Sequence, residues 1–366
     1  MIQQLGAHVQ YVFQSIKWHW SNAKLCLFSL FCNTHLDRNY ASDVCMEPVF
    51  WFVDNFTKFL GPFFVACVVV HMVAVIVISY LIGLPYWWKK NPQIAVVLVI
   101  VGNWLKVNTL FHYYMGVKTK PGFSPKGVII EEAVSICRKC IVPKPPRTHH
   151  CSVCGTCILK MDHHCPWLNN CVGHYNHRYF FMYMVFIALS TLFIMIFGAE
   201  IAYKEVWLQT SDDEIYGHPV RFNDTQIIPV PEWDNTTNRE IPIEEEVHER
   251  TWRRRAITFM AFICSGAFVA LTWLASWHAR QISNGETSIE AHINKKEVQR
   301  LAALNKTYTN PYNYGTLDNW KIFLGIGNGK TWLHVVFPSA HPPFGTGLTW
   351  DSVLSISRNI EHKKIP

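Results

Sequence analysis

Long apolar runs separated by polar segments dominate the pattern of this 366-residue chain. A helix of about 20 predominantly apolar residues is long enough to cross about 30 Å of hydrocarbon. Four runs reach this length and predict membrane-spanning helices at 59–84, 94–115, 179–199 and 256–278. The pattern therefore predicts an all-α integral membrane protein with four transmembrane helices.

The second predicted span contains three polar interruptions, Asn103, Lys106 and Asn108. A lysine within the hydrocarbon is costly unless its ammonium group snorkels to the interface, faces other helices or meets an acidic ligand group. The sequence alone leaves these three explanations of Lys106 open.

The distribution of charged residues indicates on which side of the membrane each polar segment lies. The net charge of +7 could indicate nucleic acid or a membrane surface. Between residues 118 and 178 there are nine basic residues against three acids, whereas between 204 and 250 there are four against twelve. An excess of Lys and Arg marks cytosolic loops. This asymmetry favours the lipid bilayer, not nucleic acid, and places the two segments on opposite sides of a membrane.

Four spans then place both termini on the cytosolic side. The predicted organisation has a cytosolic N-terminal segment, a cytosolic cysteine-rich domain, a lumenal loop and a cytosolic C-terminal region, at 1–58, 116–178, 203–252 and 279–366. Basic residues at 89–90 and 253–255 would be lumenal and oppose this assignment.

The N-terminal segment allows two interpretations. Residues 1–14 lack the ordered basic, apolar and small-residue zones of a signal peptide. The apolar run 25–32 could lie in the membrane interface, or the segment could be loosely docked.

The cysteine-rich domain contains a fourteen-residue repeat: CRKCIVPKPPRTHH, CSVCGTCILKMDHH and CPWLNNCVGHYNHR. Tetrahedral zinc takes four thiolate or imidazole ligands, and a Cys-x2-Cys knuckle is a common start. Two sets with identical spacing predict two structural zinc ions, in a domain of small β-hairpins between the second and third spans. The first set is Cys137, Cys140, His150 and Cys157, and the second is Cys151, Cys154, His164 and Cys171.

One cysteine of the cluster, Cys165, remains after both sets are complete, because Leu168 replaces the second knuckle cysteine of the third unit. Nucleophilic cysteines need a nearby imidazole base that a third group orients. His163 and Asp162 precede Cys165 and supply those groups. The alternative is a double zinc knuckle that only binds a partner, with Cys165 an inert thiol. The third span begins near residue 179, so Cys165 should lie close to the membrane face, and this favours catalysis on a lipid substrate.

These residues resemble the Asp-His-His-Cys domain of the protein S-acyltransferases, the DHHC palmitoyltransferases. The similarity covers the whole cysteine pattern, the following run CPWLNNCVGHYNHRYF and the four-span arrangement. Within the family, segments 285–297 and 310–325 resemble an endoplasmic-reticulum member. One motif departs: many members carry Asp-Pro-Gly after the second span, where this chain has Lys120-Pro121-Gly122.

The resemblance implies a two-step transfer of an acyl group from acyl-CoA to cysteines of membrane-associated proteins. Cys165 would be the nucleophile, His163 the base and Asp162 its orienting group. Two family motifs after the fourth span would support the site. They appear as Thr287-Ser288-Ile289-Glu290, with serine in place of the second threonine, and as Asn310-Pro311-Tyr312, where Asn310 would brace the cysteine-rich domain.

The same resemblance implies contacts with acyl-CoA. Lys144, Arg147 and His149 correspond to positions beside the CoA phosphates, and Trp167 to one beside the thioester. Each basic residue could instead be a solvated surface charge. Ser190, about 16 Å along the third span, would lie at the floor of the acyl pocket and leave room for C18 as well as C16 chains.

The chain ends in Lys363-Lys364-Ile365-Pro366, which resembles a dilysine retrieval signal and predicts the endoplasmic-reticulum membrane, with the Golgi as alternative. Two other functions stay open. A catalytically inactive zinc-stabilised scaffold is disfavoured by the intact Asp162, His163 and Cys165. A transporter is disfavoured because the spans show no inverted repeat.

Overall fold

A computed structural model describes residues 14–27, 38–127, 130, 133–208, 221–223, 226–228, 233–234, 239–240, 243–327 and 329–353. The chain divides into two units, Met1–Phe59 and Leu60–Pro366. The predicted retrieval signal at 363–364 lies outside the described residues, as do residues 28–32 of the N-terminal apolar run and most of the acidic loop.

Helices account for most of the described chain. They are α1 (14–27), α2 (Arg38–Ile78), α3 (Leu84–Lys90), α4 (Pro92–Lys118), α5 (His177–Ala202), α6 (Ile243–Ser283), α7 (Ser288–Ala302), α8 (Thr316–Leu324) and α9 (Leu333–Val336). Two π-helical turns, Ser79–Gly83 and Tyr203–Trp207, follow α2 and α5.

Short antiparallel strand pairs account for the β-structure. Three pairs lie between α4 and α5: β1 (Ser135–Cys137) with β2 (Val142–Lys144), β3 (His149–Cys151) with β4 (Thr156–Ile158), and β5 (His163–Cys165) with β6 (Asn170–Val172). Two more lie between α5 and α6: β7 (Arg221–Asn223) with β8 (Gln226–Ile228), and β9 (Trp233–Asp234) with β10 (Arg239–Glu240).

Four helical segments of the described chain are long and apolar enough to cross a membrane: Phe52–Lys90, Pro92–Lys118, His177–Trp207 and Thr251–Ser283. The predicted fold class, four spans with small β-hairpins between the second and third, is confirmed. Each helical segment is longer than its predicted apolar run, because hydropathy marks only the part within hydrocarbon while the helix continues into the interface.

The chain reverses between the first two spans at Asn91. Its backbone is extended, and its side-chain oxygen accepts hydrogen bonds from the amides of Gln93 and Ile94, both at 3.1 Å. Pro92, which has no amide hydrogen to leave unpaired, occupies the first helical position. A short polar cap thus suffices to connect two antiparallel membrane helices.

Two of the five basic residues that oppose the predicted orientation, Lys90 and Arg253, have acidic partners on α5 and the π-helical turn that follows it. Lys90 Nζ lies 2.5 Å from the Glu200 carboxylate, and Arg253 Nη2 lies 2.7 Å from Glu205 Oε1. Each pair lowers the net positive charge at that end of the spans. This weakens the objection to placing that end in the lumen.

Gly122 forms the turn after the second span and has a φ of 100°. This left-handed region favours glycine, and a Cβ atom would lie 2.9 Å from the Tyr175 ring. The carbonyls of Pro121 and Gly122 accept hydrogen bonds from the amides of Tyr175 and Leu159. The Pro-Gly part of the motif therefore keeps a structural role although Lys120 replaces the aspartate.

The main buried apolar cluster joins the membrane helices to the cysteine-rich domain and the C-terminal region. Tyr113 of α4, Phe180 of α5 and Ile282 of α6 pack there with Leu168, and Phe323 of α8 closes the cluster. Cys165 belongs to the same cluster. The predicted nucleophile thus lies where the membrane helices, the cysteine-rich domain and the C-terminal region meet.

Candidate active site

The fourteen-residue repeat appears in the structure as three equivalent hairpins. Their first strands begin at 135, 149 and 163, and their second strands at 142, 156 and 170. The pairing registers also match, because Cys137, Cys151 and Cys165 each pair with the first residue of the following strand. Equivalent sequence positions therefore take equivalent backbone positions.

In each of the two ligand sets predicted from the repeat, the four side chains lie close together. All donor atoms within each set lie within 4.8 Å of one another. In the first set, the Sγ atoms of Cys137 and Cys140 lie 3.7 and 3.1 Å from His150 Nδ1. In the second, Cys154 Sγ lies 3.4 Å from both Cys171 Sγ and His164 Nδ1.

These separations fit zinc. Tetrahedral bonds of about 2.3 Å to sulfur and about 2.0 Å to nitrogen place neighbouring donors about 3.5–3.8 Å apart. The observed values spread around that range. Both Cys3His sets therefore have the donor chemistry and spacing of structural zinc sites, with His164 Nδ1 and His150 Nδ1 as the imidazole ligands.

The third hairpin presents Cys165 without a ligand set. Its side chain is 5% exposed and packs in the main apolar cluster. The short 3-10 helix Pro166–Leu168 follows it, and Leu168 is buried where the other units have their second cysteine. Cys165 therefore lies outside both Cys3His sets.

Asp162 and His163 form a hydrogen-bonded pair beside Cys165. His163 Nδ1 lies 2.6 Å from Asp162 Oδ2. Burial opposes protonation of His163, but hydrogen bonds to Asp162 and to the Cys165 thiol raise its pKa to about 9. Burial likewise opposes ionisation of Asp162, yet the charge of His177 and the hydrogen bond from His163 hold its pKa well below the usual range. The buried Asp162 carboxylate thus favours the protonated form of the His163 ring.

Ser288, at the start of α7, binds the other side of the Asp162 carboxylate. The Ser288 amide donates to Oδ1 at 2.7 Å and its hydroxyl donates to Oδ2 at 2.8 Å. The serine that departs from the usual second threonine thus retains a hydroxyl bond to Asp162.

Two further imidazoles surround Asp162 and were not among the predicted site residues. His177 Nε2 lies 4.0 Å from Oδ1, and His278 Nδ1 lies 3.9 Å from Oδ2. Both rings are buried, and within the described residues these two nitrogens have no hydrogen-bond partner. They come from the start of α5 and the end of α6, so only tertiary packing brings them to Asp162.

Arg147 makes a buried ion pair with Glu290 of α7. Its Nε donates to Oε1 at 2.7 Å, its Nη2 donates to Oε2 at 2.6 Å, and Nη2 also donates to the Gly285 carbonyl. The side chains are 4% and 11% exposed. The guanidinium also stacks against Tyr312, 4.7 Å from the ring centre. The structure thus gives Arg147 protein partners where the sequence predicted a CoA phosphate.

Glu290 also belongs to the N-terminal cap of α7. Its carboxylate accepts from the Thr287 amide at 2.8 Å, and Thr287 Oγ1 accepts from the Glu290 amide at 3.3 Å. This reciprocal arrangement is a capping box. The cap fixes the first turn of α7, which carries Ser288 to Asp162.

Asn310 braces a different part of the chain from the one predicted. Its side-chain amide donates to the Asn284 carbonyl at 2.9 Å, and its oxygen accepts from the Tyr312 amide. Asn310 therefore stabilises the turn between α6 and α7. Within this motif, it is the ring of Tyr312 that contacts the cysteine-rich domain, at Arg147.

The other residues predicted to contact acyl-CoA lie at separate positions. Lys144 ends β2 and His149 begins β3, both partly exposed. Trp167 is 54% exposed, and its ring packs edge-on against Phe64 of α2 at 4.9 Å. Ser190 Oγ lies 3.1 Å from Thr109 Oγ1 between α5 and α4.

Asn170, which was not among the predicted site residues, attaches the third hairpin to the second span. Asn170 Nδ2 donates to the carbonyls of Gly116, Val117 and Thr119, at 2.9–3.2 Å. These carbonyls end α4 and lack helical partners. In the sequence, Asn170 stands out only because the run CPWLNNCVGHYNHRYF, which contains it, resembles the family.

A family model described as DHHC palmitoyltransferase matches residues 130–295. The four spans and two Cys3His sets agree with this class, a zinc-containing membrane acyltransferase. Over its length the chain is similar to palmitoyltransferase ZDHHC16A of Danio rerio, with 40% identity over 92% of this chain and 90% of the relative. Human ZDHHC16 is 41% identical over 91% of this chain and 86% of the relative.

A more distant similarity, to ZDHHC7 of Rattus norvegicus, covers 43% of this chain at 35% identity. The chain belongs to the DHHC palmitoyltransferase family and is a protein palmitoyltransferase. The resemblance of segments 285–297 and 310–325 to one member of the family agrees with this, because the similarity to ZDHHC16 extends over most of the chain.

Proposed function

We propose that this enzyme transfers palmitoyl or a similar long-chain acyl group from acyl-CoA to cytosolic cysteines of membrane-associated proteins, through an acyl-Cys165 intermediate. The observation that carries this proposal is the arrangement of the third hairpin. It holds the Cys165 thiol outside both metal sets, two residues from the pair that His163 forms with buried Asp162.

The first step makes the acyl-enzyme. His163 holds the proton of Cys165, and the thiolate attacks the thioester carbonyl. The bond from that carbon to the CoA sulfur then breaks, and CoA leaves with the proton from His163. Asp162 stabilises the imidazolium and fixes its orientation, as an acid does beside the histidine of other nucleophilic sites.

The second step transfers the acyl group. A substrate thiol gives its proton to His163 and attacks the acyl-Cys165 carbonyl, and the Cys165 sulfur leaves. The proton on His163 restores the starting imidazolium–thiolate pair. The same three residues thus serve both half-reactions, which predicts ping-pong kinetics.

The two zinc ions act on structure in this proposal. Zinc held by the two Cys3His sets would fix the backbone on either side of the reacting residues, because His164 lies between His163 and Cys165. Structural zinc contributes folding free energy outright. No step of acyl transfer passes through it.

Acyl-CoA would lie across the membrane face of the cysteine-rich domain. Exposed Trp167 would contact the thioester, Lys144 and His149 would contact phosphates, and the acyl chain would run between α4 and α5 towards Ser190.

Lys90 and Arg253 pair with acids at the opposite end of the spans, which supports cytosolic termini. The resemblance of segments 285–297 and 310–325 to an endoplasmic-reticulum member of the family supports the endoplasmic-reticulum membrane, with the Golgi as alternative.

Labelling of the purified, zinc-loaded full chain with an alkyne analogue of palmitoyl-CoA tests the intermediate. We expect a hydroxylamine-labile label that Cys165→Ser abolishes and that Cys264→Ser, which alters a buried thiol in the fourth span, retains. The isolated acyl-enzyme should pass its label to a cysteine peptide without further acyl-CoA. A label of unchanged intensity in Cys165→Ser would contradict the proposed nucleophile.

Zinc content provides a second test of the residue assignment. Cys165→Ser should retain two zinc ions per chain and lose acylation, whereas Cys137→Ser should lose metal and unfold at lower temperature. Loss of zinc from Cys165→Ser would show that Cys165 is a ligand, which contradicts both the ligand sets and the mechanism.

A further inference from the structure

A polar cluster lies between the first two membrane-spanning segments, and acyl transfer does not use it. Lys106 Nζ donates to the Tyr80 hydroxyl at 3.1 Å and lies 5.0 Å from the centre of that ring. The same hydroxyl donates to Asn103 Oδ1 at 3.0 Å. We call Tyr80, Asn103 and Lys106 the Lys106 cluster.

The cluster lies at the depth of the hydrocarbon. Lys106 follows Asn91, where the chain reverses, by fifteen residues, or about 22 Å of helix, and Tyr80 precedes Asn91 by eleven residues, or about 16 Å. The hydrocarbon is about 30 Å thick. Helical side chains tilt towards the N-terminus of their helix, so the Lys106 ammonium points back towards Asn91. Snorkelling to the interface near the cysteine-rich domain would require the opposite direction.

The surface around the cluster is exposed on these spans. The neighbouring apolar side chains Val77, Leu81, Val107 and Leu110 are between 38% and 55% exposed, and Tyr80 is 38% exposed. In a membrane this surface meets either lipid or another helix. The cluster is therefore accessible to a partner within the bilayer.

The charge of Lys106 indicates which partner fits. Tyr80 supplies one neutral oxygen to an ammonium group with three donors, and no ion pair joins Lys106 to a carboxylate among the residues that the structure describes. Intramembrane cations commonly pair with an opposite charge. A second copy of this chain has no Asp or Glu within its four apolar runs, so the complementary carboxylate belongs to a different protein.

We propose that the Lys106 cluster is a docking surface for a transmembrane helix of another protein that carries Asp or Glu near its middle. The carboxylate would accept hydrogen bonds from Lys106, and the helix would pack over the exposed valine and leucine side chains. If the proposed function holds, such a helix would bring its juxtamembrane cysteines to Cys165, so the cluster would select one class of substrate.

The test uses the full chain in phosphatidylcholine vesicles with a designed single-span peptide. The peptide is a polyleucine helix with one central Glu, one cysteine just outside the membrane and a fluorescent donor. A matched peptide carries Gln in place of Glu. Energy transfer to an acceptor on the enzyme measures binding independently of acylation, and the acylation of each peptide is measured separately.

We expect the Glu peptide to bind about tenfold more tightly than the Gln peptide, the size of a favourable polar contact between membrane helices. Lys106→Gln should remove this preference while autoacylation of Cys165 continues. Lys118→Gln is the matched control, because Lys118 also donates to a tyrosine, Tyr114, on the same helix, but near its end. That variant should retain the preference.

Equal binding of the two peptides to the native chain would overturn the proposal, as would a preference that survives Lys106→Gln or disappears equally in Lys118→Gln. A preserved Glu preference without any acyl transfer would support the docking surface and contradict the proposed function. The two ideas can therefore fail separately.

Discussion

Replacement of Glu290 by glutamine tests whether a buried ion pair holds α7 against the cysteine-rich domain. Glutamine preserves the shape of the side chain and removes its charge. Arg147 would then keep its bond to the Gly285 carbonyl, its stacking on Tyr312 and one bond to the glutamine oxygen, but would lose the negative charge and one of the two hydrogen bonds of 2.6 and 2.7 Å. A buried guanidinium would be left without its counterion.

The expected cost is large. Removing one partner of a buried ion pair typically destabilises a protein by about 3–5 kcal/mol. The reciprocal cap with Thr287 is also weakened, which adds up to about 1 kcal/mol. At about 2 °C per kcal/mol for a large domain, the unfolding midpoint of Glu290→Gln should fall by about 6–12 °C. Autoacylation should fall as well, because the first turn of α7 places Ser288 on Asp162.

Thermal unfolding in detergent, followed by intrinsic fluorescence at one fixed scan rate, measures the midpoint. The double variant Arg147→Met with Glu290→Leu removes both charges and should be more stable than Glu290→Gln, because no buried charge stays unpaired. A midpoint of Glu290→Gln within 2 °C (about 1 kcal/mol) of the native chain would refute this account. If Arg147→Met raised the KM for acyl-CoA at an unchanged midpoint, Arg147 would bind CoA phosphate instead.

Three other substitutions probe separate parts of the molecule. Ser190→Tyr should reduce the kcat/KM ratio of C18 to C16 acyl-CoA by about tenfold, since excluding two methylenes forgoes about 1.6 kcal/mol; an unchanged chain-length profile would show that Ser190 does not line the pocket floor. Burial, with the charge of Arg147, lowers the pKa of Lys160 to about 7. Between pH 7 and about 10.5 the unfolded chain therefore binds a proton that the folded chain lacks. The free energy of unfolding should rise with pH across that window. Lys160→Met should flatten the rise in unfolding midpoint between pH 7 and 9, and equal slopes would contradict this. His278→Phe, which keeps the buried ring but removes the nitrogen near Asp162, should slow autoacylation by about tenfold at unchanged zinc content; native rates would show that His278 only packs.

The repeat made the hairpins and ligand sets predictable because their information is local. Metal spacing within a knuckle and strand pairing within a hairpin both involve residues close in sequence. His177 and His278 were not predicted, since they reach Asp162 only when α5 and α6 pack together. Arg147 shows a different limit, because a basic residue suits a phosphate and a buried carboxylate equally well, and sequence alone does not reveal which is near.

The register of the three hairpins implies that one polypeptide template can yield both a metal site and a reactive centre by omission. In the third unit, Leu168 and Arg178 stand where the earlier units have a knuckle cysteine and a zinc-binding histidine. The backbone still presents the first sulfur as it does in the metal sites. If the proposed function holds, the loss of these two ligands from an otherwise equivalent hairpin converts a position that would bind a metal ion permanently into one that exchanges its partner at every turnover.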